Sequence, residues 1–144
     1  MSTSVQSFIT QEQIDLIQKN VYIVHQTIFF TRLADPTEAT IDYCTAYMLG
    51  LVKKHNITSM SIDLRGSKLL EYKLRKRIFM QLLQFQDAIS HLYMIRQPDT
   101  LFLVAVNFGF RILSFQRVIT WSIHDSPEDV IAQLEQNSNL PNCE

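Results

Sequence analysis

Met60-Ser61-Ile62-Asp63-Leu64-Arg65-Gly66-Ser67 is the stretch whose reading decides the fold. It begins as an apolar run, ends in an aspartate, turns through Arg65-Gly66-Ser67 and feeds a basic segment that reads as a long helix from near Leu69. A strand ending in Asp, a tight polar loop and then a helix is how α/β domains build sites at the carboxyl ends of their strands. The rest of the chain is read outward from this join.

Upstream, Ile57 to Leu64 reads as the strand itself, and a helix precedes it. Asp35-Pro36-Thr37-Glu38 has the form of a helix start, with Asp35 as N-cap, Pro36 at the first position and Glu38 closing a capping box. Tyr43, Cys44, Tyr47, Met48, Leu51 and Val52 then recur at helical spacing. Lys53, Lys54 and His55 suit the negative end of the helix dipole, and Asn56 stops it. Before that helix, Ile14–Ile17 and Val21–Phe30 flank Gln18-Lys19-Asn20 and read as a hairpin. Residues 1–13 read as a polar arm, with a short strand at Val5–Ile9.

Downstream, Leu70, Leu74, Ile78, Leu82, Phe85, Ile89 and Leu92 form a stripe that predicts one helix to about Arg96, with a break near His91. Leu101–Val106 is apolar on both faces and reads as a central strand. Asn107-Phe108-Gly109 opens a short third helix to about Phe115, and Val118–His124 is the last strand. Ser126-Pro127-Glu128-Asp129 caps a final helix to about Gln136, followed by a frayed tail from Asn137. The predicted order is β-β-α-β-α-β-α-β-α. It specifies an α/β fold with a single mixed sheet of about five strands and helices packed on it, in one domain over residues 1–144.

Composition narrows the function classes. With 144 residues, 47% of them apolar, the chain can fill one core. A net charge of -1 gives no general attraction to nucleic acid, and none is expected as a partner. Cys44 and Cys143 lie far apart, which favours a reducing compartment and a cytoplasmic location over a disulfide framework. Met1–Gln13 has no basic-then-apolar leader pattern, and no apolar run reaches transmembrane length.

Several groups could carry chemistry. Asp63, Arg65, Gly66, Ser67 and Lys68 form a strand-to-helix loop whose amides and cations could hold an anion or lipid headgroup, with Lys73 adding charge. The plainer reading is an ordinary connection in which Gly66 serves the turn. Lys73, Arg75, Lys76 and Arg77 make a basic face, which on an amphipathic helix is ordinarily the solvated side. His25, His55, His91 and His124 fall in different elements without metal-ligand spacing, so no metal or other cofactor is expected. Ser67, His91 and Asp63 can be written as a triad, but no nucleophile elbow is present. Phe108, Phe110 and Phe115 crowd one segment, and the first two could line the mouth of an apolar pocket.

The order of elements, the Ile62-Asp63-Leu64 strand end and the run Ile119 to Val130 resemble the STAS-like superfamily. That group holds anti-sigma-factor antagonists, related transporter domains and antagonist-like proteins linked with CRAL-TRIO lipid-binding folds. The resemblance covers roughly residues 14–136. It implies a non-enzymatic regulatory or protein-interaction module whose contact surface is the helix from Leu69 and the loop before it. The antagonists carry Asp-Ser-Ser-Gly about seven residues beyond the strand Asp. Here Glu71 matches the acidic position, while Tyr72 and Lys73 stand at the serines and no glycine follows, so the phosphorylatable motif is lacking. A protein partner, including a second copy in a homodimer, is the leading expectation. A lipid or other amphipathic anion bound at the basic loop is the alternative.

Overall fold

The computed structural model describes residues 9–31, 33, 35–66, 70–95 and 120–138. Its elements are α1 (Gln11–Lys19), β1 (Val21–Val24), β2 (Thr27–Thr31), α2 (Glu38–His55), β3 (Ser59–Asp63), α3 (Tyr72–Leu82) with a 3-10 turn (Leu83–Phe85), β4 (His91–Ile95), β5 (Thr120–His124) and α4 (Pro127–Ser138). The fold is α/β, with one mixed five-stranded sheet and helices on it, as the sequence predicts.

The sheet order is β1-β2-β3-β4-β5. β1 runs antiparallel to β2, and the remaining neighbours are parallel. The helices of the two described crossovers, α2 between β2 and β3 and α3 between β3 and β4, pack on the same face. One face of the sheet therefore carries Ile28, Met60, Ile62, Leu92 and Met94, which pack with Ile17 of α1, with Cys44, Met48 and Val52 of α2, and with Phe85. The other face carries Phe29, Tyr93 and Ile95 against Val130 of α4. β3 and β4 are buried on both faces, which makes them the centre of the sheet.

Three local expectations are corrected. Ile14–Ile17 is helix, not strand. Thr10 and Gln13 form a capping box, with Thr10 Oγ1 accepting from the Gln13 amide at 3.1 Å and Gln13 Oε1 accepting from the Thr10 amide at 2.8 Å. The whole hairpin lies inside Val21–Phe30, the run that the sequence pattern gives as one strand, and turns at His25-Gln26 with φ 48 and 60. Two positive φ values in a two-residue loop are what a type I′ turn needs, and His25-Gln26 has neither the glycine nor the Asn or Asp that usually marks one. Gln26 also accepts, through its backbone carbonyl, from the amides of Thr58 and Ser59, which ties the hairpin to the start of β3.

The second correction is at α2. Thr37 is the N-cap, with Thr40 closing the box, so Asp35 does not cap and Glu38 is the first helical residue. The third concerns the long basic helix. It ends at Leu82, and His91–Ile95 is the fourth strand of the sheet. Phe85, Ile89 and Leu92 do recur at helical spacing, but Leu92, Tyr93, Met94 and Ile95 are all buried, two on each face. That burial outweighs the helical preference of Leu and Met. The other end of the chain follows its signals: Ser126 Oγ accepts from the Asp129 amide at 3.1 Å, and Pro127 opens α4. The predicted strand at Val5–Ile9, apart from Ile9, lies outside the described residues. So do the strand Leu101–Val106, the helix around Phe108 and most of the tail.

Candidate functional site

Two groups of polar side chains stand out. The first is at the carboxyl end of β3, where the sequence places it. Asp63 is 8% exposed, and Arg65 turns back onto it. Arg65 Nη2 donates to Asp63 Oδ2 at 2.8 Å, Arg65 Nε donates to Oδ1 at 3.0 Å, and the Arg65 amide also donates to Oδ1 at 3.0 Å. The aspartate raises the pKa of the guanidinium, chiefly through these hydrogen bonds. Gly66 takes φ 75, the left-handed conformation that only glycine enters without strain. Burial raises the pKa of the Tyr22 phenol, and the nearby Glu128 and Asp63 carboxylates add to the shift. The end of β3 thus gathers Tyr22, Asp63, Arg65 and Glu128, and Arg65 is committed to a carboxylate of its own chain.

The basic helix is similarly occupied. Lys73 Nζ lies 3.4 Å from Glu38, and Arg77 bridges Glu38 at 3.0 Å and Asp42 at 2.8 Å. Gln81 donates to Asp42 as well. Lys73 and Arg77 of the charged stripe are therefore answered by Glu38 and Asp42 on α2, whereas Lys76 is exposed and Arg75 Nε is buried without a hydrogen-bond partner. Hydrogen bonds from Arg77 hold the Asp42 carboxyl below its ordinary range. Arg75 lies over the Tyr72 ring at 5.9 Å. Glu71 is the N-cap of α3 without a side-chain capping bond. Ser67, Lys68, Phe108 and Phe110 lie outside the described residues.

The second group is one the sequence reading did not assemble. His91, Tyr93, Thr120, Ser122 and His124 share the α4 side of the sheet, because β4 and β5 pair His91 with Thr120 and Tyr93 with Ser122. His91 Nδ1 is 2.6 Å from Thr120 Oγ1, and His91 Nε2 is 2.8 Å from Ser122 Oγ. His124 Nε2 is 2.7 Å from the same Ser122 oxygen. Tyr93 lies beneath both imidazoles, its ring 4.4 Å from that of His91 and 5.4 Å from that of His124. Burial lowers the His91 pKa, and the neighbouring His124 lowers it further, which favours the neutral imidazole.

A helix through His91 would not bring it beside Thr120 and Ser122; the pairing of β4 with β5 does. The usable signal was the alternation Thr120-Trp121-Ser122-Ile123-His124, which puts three polar side chains on one face of a strand. In the same row as Tyr93 and Ser122, Ser61 is 1% exposed between Phe29 and Tyr93, and its hydroxyl has no hydrogen-bond partner.

Among the described residues, no group of three His, Cys, Asp or Glu side chains could hold a metal ion, and no helix is long and apolar enough to cross a membrane. No protein-family model, no curated protein and no solved structure matches this chain.

Proposed function

We propose that the chain is a STAS-like regulatory module of the cytoplasm, working by contact with another protein rather than by turnover, with α3 as the contact surface. The observation that carries this reading is the exposure of α3. None of its 11 residues is fully buried, and Tyr72 and Met80 are 67% and 57% exposed. Tyr72, Lys76 and Met80 are spaced four apart, so they form one outward ridge of two apolar groups around a cation. The neighbouring side of α3 is held to α2 by Arg77 and Lys73. The family resemblance itself rests on the order of elements, the Ile62-Asp63-Leu64 strand end and the run Ile119 to Val130.

The ridge fits a partner with an apolar groove edged by carboxylates; a second copy of the chain is one such partner. The reading as a carrier of lipid or another amphipathic anion gains nothing from Arg65, whose guanidinium is closed on Asp63.

The test is photo-crosslinking in the source cells, with a benzophenone side chain at Met80 or, as control, at Leu16, which is 49% exposed on α1. Discrete protein adducts at position 80 and none at position 16 are expected. Equal or absent crosslinking at the two positions contradicts the reading.

A further inference from the structure

We propose that Ser122 is an activated hydroxyl that accepts an acyl group from an activated ester, with His91 as its general base. The inference is independent of the contact reading, because Ser122 lies on the α4 side of the sheet and α3 on the other.

The hydrogen-bond directions carry it. The Thr120 hydroxyl donates to the Ser90 carbonyl at 3.1 Å. Its oxygen therefore accepts from His91 Nδ1–H, which leaves a lone pair on His91 Nε2. The Ser122 hydroxyl donates its proton to that lone pair. The Ser122 oxygen then accepts from His124 Nε2–H. This direction satisfies every contact in the chain. The reverse direction leaves the Ser90 carbonyl with the Thr120 amide as donor in place of both Thr120 groups, and it only exchanges the two histidines: Ser122 still donates to one imidazole and accepts from the other.

A serine bonded to an imidazole that a third group orients is the arrangement from which nucleophilic serines work. Thr120 is exposed and Ser122 half-buried, so a small ester can approach. In the step, Ser122 Oγ bonds to the carbonyl carbon as its proton passes to His91 Nε2. The carbonyl oxygen becomes an oxyanion one bond from Oγ, where His124 Nε2–H can turn from Oγ to donate to it. Collapse expels the alkoxide or phenolate, which takes the proton from His91. The products are an acyl-Ser122 ester and the free alcohol or phenol. No oxidant, metal or further reactant is needed.

The experiment is incubation of the folded protein with 4-nitrophenyl acetate, following nitrophenolate release and intact mass, with peptide mapping of the adduct. One acetyl group on Ser122 is expected. Ser122→Ala should abolish it, and His91→Gln should slow it by about a hundredfold or more, the usual size of general-base assistance. His124→Gln should also slow it, with circular dichroism unchanged in all three variants. Acetyl groups found only on lysines or histidines overturn the proposal. So does Ser122 acylation that proceeds as fast in His91→Gln and His124→Gln as in the parent.

Discussion

At the residue scale, a few backbone and burial choices decide local outcomes. Asn56 ends α2 in the left-handed conformation, φ 52 and ψ 49, with its amide bonded to the Val52 carbonyl. Alanine tolerates that conformation less well, so Asn56→Ala should destabilise by about 1 kcal/mol, while Asn56→Gly should be close to neutral in chemical denaturation. Cys44 is buried against Met48, and burial pushes its thiol up to about 12. The thiol should resist iodoacetamide in the native protein and react once denaturant unfolds it; alkylation at the native rate of a free thiol would contradict its placement. Asn56 was legible as a helix stop because its chemistry is local. The turn at His25-Gln26 was not, because it lacks the Asn-Gly or Asp-Gly pair that marks such a turn and the pairing of β1 with β2 imposes it.

At the element scale, helices were legible where caps and dipoles marked them and obscure where packing decided. Ser126-Pro127 announces α4. Thr10 to Gln13 announces α1 just as clearly, but Ile14-Asp15-Leu16-Ile17, with Asp15 between apolar residues, also has the pattern of a short strand. β4 carries no strand signal of its own, since its identity comes from burial on both sides. The α2–α3 ion pairs illustrate a different limit, because sequence shows charges but not which helix answers them. Arg77, Glu38 and Asp42 are each around 40% exposed, so solvent screens their attraction. Arg77→Met should cost less than about 1 kcal/mol in low salt, and the cost should shrink further in high salt. Asp42 titrates below its ordinary 3.8 in the folded protein, so its contribution is full above that pH and is lost as pH falls through the lower folded value. Arg77→Met should flatten this part of the acid-unfolding curve, and an unchanged curve would show that the pair does not form in solution.

At the scale of the whole molecule, the sheet separates two surfaces. One face holds the main core and carries α1, α2 and α3, with the Tyr72–Lys76–Met80 ridge outermost. The other holds Phe29, Tyr93, Ile95 and Val130, with the histidine–serine chain beside them. The cost of disturbing the centre should be large: Met94 is fully buried, and Met94→Ala should destabilise by about 2–5 kcal/mol in urea titration. The α/β class and the Asp63 join were legible because strand–turn–helix order is written in short stretches. The Ser122 cluster was not, because it joins residues 91 and 124 through the register of β4 and β5, which no local pattern encodes. Native mass spectrometry of the protein isolated gently from its source cells, beside Met80→Arg, tests the contact function most directly. The account predicts a protein–protein complex, with a second copy or another chain, that the substitution dissociates. A monomer carrying a lipid or small anion that leaves on denaturation, or a complex unchanged by Met80→Arg, would contradict it.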